Sequence, residues 1–396
     1  PSGTRSLNRN WVNSLSWYIF FPCIDKFNNL YSLILLTLFV FIKSLIAHGY
    51  EVFGAAPDMS KEIAKGLLKI GAMPINFSLS RTGLNPFKDY SSVMELKQII
   101  QDNAIDMVFP YTIKPVIYSS MAANKLGVPV VSLITGLGVT FSSVGTKATI
   151  MRKAIEALYK FSIRKNKVVV FQNADDLNLF RTNGILLKKQ KTDVVDGSGV
   201  NLTKYRTRVN KKTSDVVVFL FVARLIREKG VYLFVEAAKE IKKEFPKAEF
   251  HIIGDPDKKA PSAIKLSELT ELNKNGTIVY HGFQSNVEDF LYKSDVFVLP
   301  TYYREGVPRS ILEALSVGMP IITTNSPGCK ETIVDNKNGV LIAQKNKQEL
   351  IDAMKSFIVN KNDIETKGIA SRKLAETKFD VNIINKKLIE IIDASF

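Results

Sequence analysis

The residues best suited to chemistry lie between positions 296 and 334. Glu305 and Glu313 have seven residues between them, the first in the polar stretch 301–306 and the second in the segment that follows. Ionised carboxylates only accept hydrogen bonds, so this pair suits the hydroxyls of sugar and ribose. Backbone N–H groups near Gly306 and Val307, at the entrance to a helix, suit phosphate. Upstream, Arg224 offers a bidentate guanidinium and Lys229 a compact ammonium, both matched to a diphosphate leaving group. Hydroxyl acceptors beside anion donors read as a nucleotide-sugar site.

The elements that must hold these groups are written around them. Phe297, Val298 and Leu299 make a short apolar strand, Pro300 breaks it, and a helix starts near Arg309. Pro308 suits the first helical position, Ser310 and Glu313 have capping-box spacing, Gly318 fits a left-handed stop, and Pro320 prevents continuation. Ile321 and Ile322 open the next strand. Such a strand–loop–helix unit places its loop at the carboxyl edge of a parallel sheet, where ligands gather. Strands at 51–56, 74–79, 107–110, 128–134, 168–172 and 193–195 alternate with helical stretches, and the alternation resumes from 216. Regular alternation means α/β, doubly wound sheets. A chain of 396 residues suits two domains, and the charged, pattern-free stretch 204–214 marks their boundary.

The run Glu305-Gly-Val-Pro-Arg-Ser-Ile-Leu-Glu313-Ala, with Gly318-Met-Pro-Ile and Pro327-Gly-Cys-Lys-Glu331 after it, resembles the Glu-x7-Glu signature of retaining GT-B glycosyltransferases. The likeness is to the capsule, O-antigen and lipid-linked-oligosaccharide branch, and it extends from about Ser44 to the C-terminus. It implies two Rossmann-like domains facing across a cleft: an acceptor domain at 1–204, a donor domain at 205–377, and a terminal helix at 378–396 crossing back to the first. It also implies transfer of a hexose or N-acetylhexosamine from a UDP-sugar to an undecaprenyl-diphosphate-linked saccharide, with no metal or other cofactor. By the same resemblance Arg224 and Lys229 hold the donor phosphates, Glu305 the donor sugar and Glu313 the ribose. Gly282 and Phe283 meet the nucleobase, Gly306, Val307, Pro308 and Arg309 complete the donor loop, and Arg81, Lys114, Gly136 and Gly138 lie on acceptor-side loops. Two other functions fit less of the sequence. A GT-B nucleotide-sugar epimerase would need more His and acidic groups for proton work, and an inactive paralogue acting as an assembly partner rests on the unusual N-terminus alone.

The net charge is +16, and it is uneven: 24 Lys and Arg stand against 13 Asp and Glu through Tyr205, and 30 against 25 after it. The basic first half suits an anionic membrane or a diphosphate acceptor, and no nucleic-acid-binding motif is present. Within it, residues 146–167 form a basic helical stretch carrying Lys147, Arg152, Lys153, Lys160 and Arg164 among apolar residues, a pattern shared by membrane-surface helices and by ordinary domain helices with a solvated face. Cys23 and Cys329 are too isolated for a disulfide framework, and with three His they give no metal-ligand spacing. Asp255-Pro-Asp257 is first of all a turn, and Asp175-Asp176 caps a helix. Residues 30–42 are nearly uninterruptedly apolar but shorter than the ~20 residues of a spanning helix. Residues 11–22 alternate poorly, and no glycine loop is visible before Lys43, where the resemblance implies a first strand, such a loop and a helix, so this segment reads as a truncated or altered N-terminus or a membrane-dipping stretch. His48, at a helix end, reads as structural. The expected location is peripheral, on the cytoplasmic face of the plasma membrane.

Overall fold

The computed structural model describes residues 16–20, 30–79, 86–142, 145–208, 215–257, 260, 262–334 and 336–395. Two parallel sheets organise the chain. The first contains β1 (Ser16–Phe20), β2 (Glu51–Pro57), β3 (Met73–Phe77) and β4 (Met107–Pro110) in the order β3-β2-β1-β4. Parallel bridges Val108↔Val130 and Tyr111↔Leu133 continue it into β5 (Val131–Ile134), β6 (Val168–Phe171) and β7 (Thr192–Val194). The second sheet comprises β8 (Val218–Val222), β9 (Glu249–Ile253), β10 (Val279–Tyr280), β11 (Val296–Leu299), β12 (Ile321–Thr324) and β13 (Gly339–Ile342). Its order is β10-β9-β8-β11-β12-β13, so the winding reverses between β8 and β11. All four residues of β11 and of β12 are buried, as strands covered on both faces should be, and the Thr323 and Thr324 hydroxyls in β12 donate to the Leu299 and Thr301 carbonyls. Helices cover these faces with one apolar stripe each. Val231, Phe234, Val235, Ala238 and Ile241 of the helix Val231–Glu244 follow that spacing and are all buried.

The N-terminus departs from expectation. A first strand is present, as β1 at the centre of the first sheet, in register with both β2 and β4. The apolar run lies in the helix Leu30–Ala47, whose Leu38, Phe41, Ile42 and Leu45 are buried in the first domain's core. At these positions it is a core helix with the terminal helix packed against it; the side chains of residues 30–37, on which the membrane-dipping expectation also falls, lie outside the described residues. Ile384, Leu388 and Ile392 of the last helix, Val381–Asp393, join the same core, and Asn385 donates a hydrogen bond to Ser44 Oγ at 3.3 Å. The two strands of chain between the domains touch where Val200 N–H donates to Phe379 O (2.8 Å) and Val381 N–H to Val200 O (3.1 Å). Among the described residues no helix is long and apolar enough to cross a membrane.

Candidate active site

Because β8 and β11 are neighbours at the point where winding reverses, the loops leaving their carboxyl ends flank one crevice. The first loop carries Arg224 and Lys229, and the second runs from Pro300 to the helix Arg309–Ser316. One backbone carbonyl ties them together. Glu228 O accepts hydrogen bonds from Tyr302 N (2.9 Å), Tyr303 N (3.1 Å) and Thr301 Oγ1 (3.0 Å). The charged groups then meet across the crevice. Lys229 Nζ pairs with Glu305 Oε1, both side chains being mostly buried. Arg224 Nη1 pairs at 3.0 Å with Asp257 Oδ2, and the Arg224 and Lys229 cations lie 5.8 and 4.9 Å from the centroid of the Tyr303 ring. Asp257 is therefore the buried counter-ion of Arg224. Gly282 and Phe283 lie beside it at the carboxyl ends of β9 and β10, where Gly282 O accepts from Gly254 N–H at 2.9 Å.

The helix after the loop starts at Arg309 as expected, but its cap differs. Pro308 is the N-cap residue, outside the first turn, and no side chain caps the helix. The expected capping box between Ser310 and Glu313 is absent because Ser310 lies inside the helix, two positions past the N-cap, and Glu313 pairs with Arg309 at i−4. Arg309 Nε donates to Glu313 Oε1 at 2.9 Å, with Glu313 only 3% exposed. The two carboxylates thus do not share an open face: each carries its own cation. Above Glu313 lies the Tyr205 phenol, held protonated by burial first and by the Glu313 charge second. Arg309 partly offsets the effect of burial on Tyr111, whose hydroxyl is pushed up to about 12. Gly318 takes the left-handed stop, with φ of +80°.

The loop is also gripped by the other domain. Glu305 forms an antiparallel bridge with Gly136, and a Cβ on Gly136 would overlap the backbone nitrogen of Gly306. A Cβ on Gly306 would in turn overlap Gln172 and the Thr135 carbonyl. Both glycines are needed for this close approach. The Gly306 nitrogen lies against the first domain, and Val307 packs on Gly197 there, so the expected phosphate donors at 306–307 face the domain contact.

Residues 204–373 match the family model described as glycosyl transferases group 1, and residues 29–173 match glycosyl transferase 4-like. The chain carries a glycosyl transferases group 1 domain in a GT-B fold. Over 368 residues it is 28% identical to the N,N'-diacetylbacillosaminyl-diphospho-undecaprenol alpha-1,3-N-acetylgalactosaminyltransferase of Campylobacter jejuni, covering 89% of this chain and 93% of that one. Over 283 residues it is 29% identical to an Escherichia coli UDP-Gal:alpha-D-GlcNAc-diphosphoundecaprenol alpha-1,3-galactosyltransferase, covering 67% and 70% respectively. The crystal structure of a glycosyltransferase from Rickettsia africae superposes with a TM-score of 0.75 at 19% identity, over 97% of this chain and 99% of that one.

The glycosyltransferase's first domain presents a different wall. Gly138, with Gly136, contacts the donor loop, and Gly138 N–H donates to Arg304 O at 3.0 Å. Lys114 stands at the start of the helix Ile113–Leu126, 3.6 Å from Asp89 Oδ1. Its neighbour Thr112 has φ 72° and ψ 172°, a conformation almost confined to glycine that costs about 1–3 kcal/mol and marks a constrained position at the cleft. Arg81 lies outside the described residues. His48 is exposed, 3.9 Å from Asp393 Oδ2, away from the crevice. The helix after β6 is capped by Asn173, whose side chain accepts from Asp176 N, so Asp175 and Asp176 sit in its first turn and are not its cap. Sequence reasoning missed Tyr303, Asn173 and Arg304. Only the Tyr-Tyr-Arg tripeptide directly before Glu305 hinted at two of them.

Proposed function

We propose that this glycosyltransferase transfers a hexose or N-acetylhexosamine from a UDP-sugar to an undecaprenyl-diphosphate-linked saccharide, with retention at the anomeric carbon. The observation that carries this reading is the convergence of Arg224, Lys229 and Glu305 on one crevice at the β8/β11 reversal. The donor diphosphate displaces the Lys229–Glu305 pairing. Lys229 and Arg224 then meet the negative charge that grows on the leaving diphosphate, and Glu305 is freed to accept hydrogen bonds from donor-sugar hydroxyls. Glu313, through Arg309 or directly, serves the ribose, and Gly282 and Phe283 lie where the base would rest. Both relatives' names specify diphospho-undecaprenol saccharides and alpha linkages, and UDP-hexoses of the common type are alpha at C1, which supports retention.

We further propose that the reaction needs no metal. Among the described residues the acidic pair beside Arg224 is engaged, since Asp257 neutralises Arg224 and Asp255 accepts from the Tyr280 hydroxyl at 3.3 Å, and two cations already face the phosphate position. The acceptor's lipid stays in a bilayer, so the protein works peripherally at the cytoplasmic face. The helix Thr146–Ile163 supports this, with Ile150, Met151 and Phe161 exposed among its Lys and Arg residues and Arg164 stacked over Phe161 at 5.0 Å. A thermal-unfolding screen of UDP-sugars tests the donor assignment. Ligand at 100 times its Kd stabilises the native state by about 2.7 kcal/mol, so the true donor raises Tm by several degrees, in chelator as well as without it. No shift with any UDP-sugar contradicts the reading.

A further inference from the structure

The donor loop has a divided allegiance. Its carboxylate turns to Lys229 of its own domain, whereas its backbone is held by the other domain. Arg304 N–H donates to Ser142 Oγ (2.8 Å), and Arg304 O accepts from Gly138 N–H (3.0 Å). The Glu305 and Gly306 carbonyls both accept from Asn173 Nδ2, at 3.3 and 3.2 Å. The same Asn173 Nδ2 lies 3.1 Å from Asp176 Oδ2, and Asn173 Oδ1 accepts from Asp176 N–H at 2.8 Å. Arg304 Nε then donates across the interface to Asp176 Oδ1 at 2.7 Å, where the Asp176 side chain is 0% exposed. Lys330, behind the Pro327-Gly-Cys turn, adds a second crossing pair to Asp175 at 2.8 Å.

An ion pair so deeply buried gives little net stability, because desolvation offsets the attraction. Burial accordingly holds the Asp176 carboxyl above its ordinary range despite Arg304. What such a pair supplies is geometry. We propose that Asn173, Asp176 and Arg304 are positioning residues for glycosyl transfer: they fix the backbone of 304–306 against the first domain and thereby aim the Glu305 carboxylate. This rests on the reading that Glu305 meets the donor sugar. Its consequence is that the donor site is complete only when the two domains are together, so donor-side geometry is set by acceptor-side residues.

A double-mutant cycle tests it in the full chain. Steady-state kcat and KM with the UDP-sugar giving the largest thermal shift, UDP affinity by calorimetry, and Tm are measured for Arg304→Ala, Asp176→Asn, Arg304→Lys, Glu305→Gln and the Arg304→Ala/Glu305→Gln double variant. Arg304→Ala is expected to lower kcat about 10- to 100-fold with UDP affinity changed less than about 2-fold, and Arg304→Lys to recover part of the loss. In the Glu305→Gln background the same change costs less than about 3-fold, since residues acting through one another are non-additive. Equal losses in both backgrounds, or unchanged kcat in Arg304→Ala, overturn the proposal. Should Arg304→Ala fail to fold, Asp176→Asn keeps size and shape while removing the charge, and normal turnover in that variant overturns it as well. Failure of the site reading has its own signature, unchanged turnover in Glu305→Gln alone.

Discussion

The two walls of the cleft are built on different plans. On the donor side the crevice charges pair at short range: Arg224 with Asp257, Lys229 with Glu305, Arg309 with Glu313. Those groups sit at the ends of buried strands whose backbones are locked to one another through the Glu228 carbonyl. The acceptor side instead shows a strained Thr112, glycines 136 and 138 pressed on the opposite loop, and a basic helix that keeps apolar side chains in solvent. The contrast fits their tasks. A nucleoside diphosphate is small and rigid in its demands, and preorganised charge serves it. In the proposed reaction a lipid-linked acceptor reaches the cleft from a surface, which suits a wall that combines shape with surface charge.

Breaking the donor side should be felt in turnover. The largest effect is expected from Glu305→Gln, which removes an acceptor aimed at the transferred sugar. A fall in kcat of about 10²–10³, with UDP affinity nearly unchanged, is the expected outcome of steady-state and calorimetric measurements. Arg224→Ala and Lys229→Ala come next, each expected to lose about 2 kcal/mol or more of transition-state stabilisation in kcat/KM. Normal efficiency in both variants would return them to ordinary loop charges. Glu313→Gln sharpens the comparison within the donor side: it is expected to weaken UDP about tenfold by calorimetry, about 1.4 kcal/mol, with a smaller change in kcat.

The acceptor side should respond differently. Neutralising Arg152, Lys153, Lys160 or Arg164 singly is expected to lower partitioning to anionic vesicles by about 1 kcal/mol each, with kcat unchanged on a short-chain soluble acceptor. Sedimentation with those vesicles should also weaken as salt rises, because exposed charges are screened beyond a Debye length of about 10 Å at 0.1 M. Salt-resistant binding would point to Ile150, Met151 and Phe161, since Leu38, Phe41 and Ile42 at the end of the apolar run are buried in the core.

The donor side was legible in the sequence for a physical reason. Its groups lie in two compact segments, 224–230 and 305–313, and each segment pairs charges of kinds that suit one ligand. What stayed hidden was long-range. Arg304 and Asp176 are 128 positions apart, and no local pattern joins them. The strand β1 was missed because it is short and its position at the sheet centre depends on β2 and β4. In the helix Leu30–Ala47 the described part reads as apolar because Leu38, Phe41, Ile42 and Leu45 share one core with the terminal helix. At 309–313 the local rule failed outright: capping-box spacing was present, but the N-cap fell at Pro308, which put Ser310 inside the helix and left Glu313 to pair with Arg309.

The central claim is retaining transfer from a UDP-sugar by the crevice between β8 and β11, and the anomeric configuration of the product tests it most directly. The full chain is incubated in chelator with a UDP-α-hexose or UDP-α-N-acetylhexosamine and an undecaprenyl-diphosphate-linked saccharide, and the C1 coupling of the new linkage is read by NMR. The account predicts an alpha linkage formed at an undiminished rate in chelator and lost in Glu305→Gln. A beta linkage, or transfer abolished by chelator and restored by a divalent cation, would contradict it.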